Sequence, residues 1–139
     1  MRIGAVLPRR TALVRRAAGP RERPQVLAAN VDVVFVVAGL DGDFNPRRVE
    51  RTLVLVAESG ARAVVLLNKA DACPDAGERR AEMERAAPGV PIHAVSALHG
   101  QGTQALRSEM APGETVALIG SSGAGDLQLY LNFKTSLRR

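Results

Sequence analysis

Ala63-Val64-Val65-Leu66-Leu67-Asn68-Lys69-Ala70-Asp71 is the stretch on which the reading of this chain turns. An unbroken apolar run, rich in branched side chains, stops abruptly at a polar tetrapeptide. Runs of this kind are strands covered on both faces, as in a parallel sheet held between helices. Ligand loops in such sheets follow the carboxyl ends of the strands, so Asn68 to Asp71 stands where a binding loop belongs.

Working outward from it, Val31, Val33, Val34, Phe35, Val36 and Val37 form an earlier run of the same type, the first strand of the sheet. Between the two, Asn45 can cap a helix opened by Pro46, and Val49, Leu53, Val56 and Ala57 recur at helical spacing until Gly60 stops it. Downstream, helix formers from Ala76 to Ala87 end at Pro88-Gly89, and Ile92 to Val95 can form a third strand. Gly100-Gln101-Gly102 opens a short helix through Met110, and Thr115 to Ile119 supplies a fourth strand before the glycine-rich Gly120 to Gly125. The alternation predicts an α/β domain with a parallel sheet between helices. Ahead of it, Ile3 to Leu7 and Ala12 to Val14 read as short strands separated by Pro8-Arg9-Arg10, and the polar, proline-punctuated stretch from Ala17 to Pro24 reads as a linker.

Composition narrows the chemistry. With 139 residues, 46% hydrophobic and 24% charged, the chain can bury one modest core. Its net charge of +5 comes almost entirely from arginine, since Lys69 and Lys134 are the only lysines. That balance favours polyanions such as RNA, but with 3% aromatic residues there is little to stack on bases, so contact would be mainly to phosphates. Cys73 is the sole cysteine, which excludes an internal disulfide and any Cys-x-x-Cys zinc cluster. The most apolar run, Val31 to Leu40, falls short of the roughly 18 residues a membrane span needs, and no signal-peptide core follows the N-terminus. A soluble protein of the reducing cytoplasm is expected, with no membrane contact.

The loop Asn68-Lys69-Ala70-Asp71 has the donors and acceptors that guanine requires. The Asp71 carboxylate can accept from the ring N–H and the exocyclic amine together, a pair adenine does not present. Asn68 can bind the base and tie neighbouring loops, and the Lys69 stem can lie along the ring. Ser96-Ala97 follows the next strand, where a backbone N–H can donate to the guanine carbonyl oxygen; adenine places a donor there instead. An ordinary polar turn is the plain alternative for the tetrapeptide alone. Gly120-Ser121-Ser122-Gly123-Ala124-Gly125 carries the outer glycines of a phosphate-binding loop. The following lysine and Ser/Thr of that motif are replaced by Asp126 and Leu127. A carboxylate there repels phosphates by about 4 kcal/mol at about 4 Å and an effective dielectric near 20.

In ordinary GTPases the phosphate loop precedes the guanine motif, whereas here it follows, which is a circular permutation. Together with Leu27-Ala28-Ala29-Asn30-Val31-Asp32 and Asp41-Gly42-Asp43-Phe44-Asn45-Pro46-Arg47-Arg48-Val49-Glu50-Arg51, this order makes Ile3 to Gly125 closely resemble the ribosome small-subunit-dependent, circularly permuted GTPases of bacteria. The resemblance implies a partial P-loop GTPase-like, three-layer domain over residues 31–125, preceded by the remnant of an N-terminal OB-fold barrel (1–16) and a linker (17–30). It implies GTP or GDP as ligand and the small ribosomal subunit and its rRNA as partners. It also implies magnesium, whose ligands are missing here, so no metal site and no catalytic residue are expected, and little or no GTP hydrolysis is expected of the chain alone. The rival expectation is a non-catalytic rRNA-binding or assembly module with a vestigial nucleotide site.

Residues 126–139 depart from the family pattern: Leu127, Leu129, Leu131 and Phe133 alternate at period two, as in a strand, where a helix belongs. The tail is expected to be foreign to the domain, from a frameshift, a truncation or vector sequence. The strand Thr115 to Ile119 would then lie at an open edge, inviting self-association. Of the smaller features, Arg9, Arg10, Arg15, Arg16, Arg21 and Arg23 suit either a phosphate-contacting arm or a solvated linker. Arg47, Arg48 and Arg51 read as a solvated helix face. His93 is expected to be packed or edge-exposed, while His99 and Cys73 have no evident activating partner.

Overall fold

The computed structural model describes residues 2–16, 23–42, 44–121, 123–125 and 128–129, apart from the Arg16 side chain. Among these residues, six strands and two α-helices follow one another as β1 (Ala12–Arg16), β2 (Pro24–Ala29), β3 (Val33–Gly39), α1 (Pro46–Ser59), β4 (Arg62–Asn68), α2 (Ala76–Ala86), β5 (Ile92–Ala94) and β6 (Val116–Gly120). Two short 3₁₀ segments, Ala70–Ala72 and Thr103–Glu109, sit in the loops.

β3 is buried at every position, which is why its sequence does not alternate. It lies at the centre of a four-stranded sheet of order β5-β4-β3-β6, all pairs parallel. One face carries Val34, Val36 and Ala38 against Val49 and Val56 of α1 and Met83 of α2. The other carries Val33, Phe35 and Val37 against Val95, Leu106 and Leu129. The expected α/β architecture, a parallel sheet between two apolar layers, is present.

Local chemistry sets the helix between β3 and β4. The Asn45 side chain accepts from the Arg48 N–H at 3.3 Å, and Pro46 stands in the first turn, where its missing N–H costs nothing. Gly60 ends α1 in the left-handed region at φ 85°, with its N–H returned to the Ala57 carbonyl. Of the expected apolar stripe, Val49 and Val56 are buried and Ala57 is exposed.

Three expectations are corrected. Ile3 to Leu7 is not a strand: residues 2–9 have no regular structure, and Ile3, Val6 and Leu7 are exposed at 87%, 89% and 76%. Among the described residues no strand pairs with it, so the apolar run has no ladder to join. The linker expected over residues 17–30 is also partly structure: Pro24–Ala29 is β2, antiparallel to β1 with Ala12 opposite Ala29, while residues 17–22 lie outside the described residues. This hairpin crosses the boundary expected after Arg16, and Leu13 joins the same core as Val31 and Val49. Finally, the alternation in the tail is not a strand where it is described. Gln128 and Leu129 are helical, the Leu129 N–H bonding the Gly125 carbonyl at 3.1 Å, and Leu129 is fully buried. Filling the space beside Phe35 and Leu106 outweighs a short period-two pattern. Asp126, Leu127 and the residues from Tyr130 onward lie outside the described residues.

Candidate nucleotide-binding site

Parallel register brings the strand ends together. Gly39 on β3 is paired with Asn68 on β4, Val37 with Gly120 on β6, and Leu67 with Ala94 on β5. The loops after all four strands therefore leave one edge of the sheet, where backbone donors are free of the ladder.

Asn68, the last residue of β4, holds that edge together. Its side chain is buried, donating from Nδ2 to the Ala124 carbonyl at 2.8 Å and accepting at Oδ1 from the Ala97 N–H at 2.9 Å. One amide thus links the loops after β4, β5 and β6. The glycine loop is shaped around it: a Cβ on Gly125, whose φ is 87°, would lie 2.3 Å from Asn68 Nδ2. A Cβ on Gly120 would lie 3.1 Å from the Val37 carbonyl. Between them, Gly123 turns at φ 83° and the Ala124 N–H closes onto the Ser121 carbonyl at 3.0 Å. Ser122 lies outside the described residues.

Lys69 adopts φ 65°, a left-handed conformation that side chains other than glycine, asparagine and aspartate rarely accept. Its ammonium pairs with Asp41, from the loop after β3, at 2.5 Å. Next in the loop, Asp71 lies in the Ala70–Ala72 segment with its side chain 24% exposed. Its carboxyl is held below the usual carboxylate range, first by a hydrogen bond with Ser96, against a desolvation that opposes it, with its own backbone N–H and His99 adding to the effect. The group is therefore an acceptor, the form that pairing with two N–H donors requires. His99 Nε2 stands 3.3 Å from Asp71 Oδ2.

Ser96 and Ala97 follow β5 as expected, but neither backbone donor is idle. The Ser96 N–H bonds the Gln101 carbonyl at 3.0 Å and the Ala97 N–H bonds Asn68. A carbonyl oxygen arriving here shares the Ala97 donor with Asn68 rather than taking a vacant one. Sequence reasoning also missed two partners. Asp41 stands just past the end of β3, where loops converge, and that position was the available signal. His99 has a partner after all, in Asp71, because the Ser96–Gln101 pairing folds the intervening loop back. His93 is half-buried and paired with Glu109 at 2.8 Å.

No three His, Cys, Asp or Glu side chains among the described residues converge as metal ligands. The lysine and hydroxyl residue that follow a phosphate loop are replaced in the sequence by Asp126 and Leu127, which lie outside the described residues. Among the described residues, no helix is long and apolar enough to cross a membrane.

Comparison with known proteins decides the family, since residues 6–137 match the family model described as RsgA GTPase. The chain belongs to the RsgA GTPase family. Similar proteins include the "Small ribosomal subunit biogenesis GTPase RsgA" of Syntrophotalea carbinolica, 51% identical over 132 residues, which cover 90% of this chain and 36% of that protein. The protein of the same name from Opitutus terrae is 54% identical over 123 residues, or 88% of this chain and 34% of its own. The chain thus spans about a third of the length of these relatives. Among solved structures, YjeQ from Thermotoga maritima superposes with a TM-score of 0.73 at 26% identity, over 92% of this chain and 43% of its own. YloQ, a circularly permuted GTPase, has a TM-score of 0.63 at 19% identity, over 99% of this chain and 53% of its own, a likeness of fold. The permuted GTPase fold inferred from motif order is thereby established. The family match continues past Gly125 to residue 137, so it includes most of the tail that the alternation had set apart.

Proposed function

We propose that this chain is the guanine-recognising part of a GTPase that serves maturation of the small ribosomal subunit, and that alone it binds GDP or GTP without hydrolysing it. The observation that carries this reading is the Asn68 amide, which fixes Asp71's loop, Ala97 and the glycine loop at one edge of the sheet. In this reading Asp71 accepts from the base and Ala97 donates to it. The Lys69 stem lies along its plane, and Gly120 to Gly125, with Ser121 and Ser122 between, face the phosphates. Hydrolysis depends on positioning and charge neutralisation, and the replacement of lysine and Ser/Thr by Asp126 and Leu127 removes both. Calorimetric titration with GDP tests it. Binding with clear preference over ADP, lost by tenfold or more in Asp71→Ala and unaccompanied by GTP turnover, is the expected result. Equal binding of ADP, or steady turnover, contradicts it.

A second role is favoured by charge. Arg9, Arg15 and Arg23 are exposed, whereas Arg10 is committed to Asp32 at 2.7 Å. In this reading the β1–β2 hairpin is the remnant of an RNA-facing barrel in a cytoplasmic ribosome-associated protein, and its free arginines meet rRNA phosphates. Filter binding to small-subunit rRNA that weakens steeply with salt, and weakens again when those three arginines become glutamine, supports it. Among the described residues β6 has a strand on one side only, and its free edge can pair with a second copy. Sedimentation showing a single monomer at all concentrations contradicts that pairing.

A further inference from the structure

We propose that Asp41 is a positioning residue, which holds Lys69 across the end of the sheet so that the lysine stem is laid out as a wall of the nucleotide site before the nucleotide arrives. This rests on the base-recognition reading above and adds a residue that acts on the same site through Lys69.

Strand order places the pair. The strands run β5-β4-β3-β6. Asp71 and Ala97, which meet the base, follow β4 and β5, and the glycine loop follows β6. A nucleotide reaching from one group to the other passes over the ends of β4 and β3. The ion pair between Lys69, after β4, and Asp41, after β3, spans that gap.

Both ends of the bridge are fixed by their own loops. Lys69 is held at φ 65°, so the direction in which its stem leaves the chain is set. The bonds around it maintain that turn: the Leu40 N–H to the Asn68 carbonyl at 2.8 Å, the Ala70 N–H to the Val95 carbonyl at 3.1 Å and the Ala72 N–H to the Lys69 carbonyl at 3.1 Å. On the other side, Asp41 follows the buried Leu40, and its carbonyl accepts from the Phe44 N–H at 3.1 Å. Phe44 packs on the core, with the Arg79 guanidinium 5.5 Å from its ring centre. The Asp41 carboxylate folds back over the end of β3, where a Cβ on Gly39 would lie 3.3 Å from Oδ1. The two side chains are 37% and 42% exposed, so the pair adds little to stability. Its effect is to order a long stem that otherwise samples many rotamers, and that cost is then met before binding.

The sign of the effect separates this role from plain electrostatics. Asp41 is a negative charge beside the path of an anionic ligand, so by charge alone its removal strengthens nucleotide binding. Positioning requires the opposite, because a released lysine stem must be ordered again at each binding event.

The test is calorimetric titration of the full chain with GDP, and with ADP for base preference, alongside thermal melts. The proteins compared are the parent, Asp41→Ala, Asp41→Asn, Lys69→Met and the double variant Asp41→Ala/Lys69→Met. Asp41→Ala is expected to bind GDP about fivefold more weakly than the parent while melting with it. Asp41→Asn, which keeps an acceptor without the charge, is expected to lie between them. Lys69→Met keeps a stem but has no anchor, so adding Asp41→Ala to it is expected to cost no further affinity. Unchanged or tighter GDP binding by Asp41→Ala, or losses that multiply in the double variant, overturns the positioning role while a guanine preference leaves base recognition standing. Melting temperatures that fall in step with affinity in both Asp41 variants overturn it too, since the pair would then be holding the fold. A parent chain that binds GDP no better than ADP overturns base recognition, and the positioning role with it.

Discussion

At the scale of single residues, Asn68 and Gly125 form one device. The amide is buried with its donor on a carbonyl and its acceptor on an N–H, so each end is specified. Asn68→Asp keeps the shape but turns an oxygen toward the Ala124 carbonyl, leaving two acceptors face to face. The expected loss is about 2–3 kcal/mol in chemical denaturation, comparable to Asn68→Ala. Gly125→Ala attacks the same contact from the other side, combining a Cβ at 2.3 Å from Nδ2 with a φ of 87°. It is expected to cost about 2 kcal/mol or more and to weaken GDP binding together with stability. A fully stable Gly125→Ala protein would show that the loop does not close on Asn68 as described.

At the scale of elements, α1 shows local signals doing their ordinary work. Both ends were legible: Asn45 and Pro46 at the start and Gly60 at the stop are where the sequence places them. The cap bond is long at 3.3 Å, so Asn45→Ala is expected to cost about 0.5–1 kcal/mol, with Asn45→Asp close to the parent in thermal melts. The short helix expected after Gly102 is also present, as the 3₁₀ segment Thr103–Glu109. Local logic failed at Leu129, where a helical turn replaces the strand implied by alternation. Periodicity reports which residues want burial. It does not report which neighbour is available to bury them.

At the scale of the whole molecule, the end of the sheet opposite the site is held by charge. Arg62, opening β4, grips both oxygens of Glu114 at 2.7 and 3.0 Å, and the Ala111 N–H adds a third bond at 2.8 Å. These hold the Glu114 carboxyl down at about 2, Arg62 first and Ala111 second. Asp32, just before β3, is lowered likewise by the Thr115 N–H and then Arg10. Both carboxyls are more acidic folded than unfolded, so what they contribute is present above the unfolded value, 4.5 for Glu114, and is lost as pH falls toward about 2. Urea midpoints are expected to fall between pH 5 and 2. Glu114→Gln should begin from a lower midpoint at neutral pH and decline less. An unchanged acid profile in that variant would mean that the clamp does not form in solution.

The sequence by itself determined the buried strands, the caps of α1 and the residues that stand after each strand, because those depend on burial patterns and bonds between near neighbours. It also determined the permuted order of the motifs, since order needs no coordinates. Only the tertiary structure decided that β2 pairs with β1 and that Leu129 is helical and buried. It alone decided that the Ala97 N–H is already taken by Asn68 and that His99 reaches Asp71. Each of those facts joins groups through space. Which donor meets which acceptor there is fixed by how the loops converge, and local propensity carries no record of it.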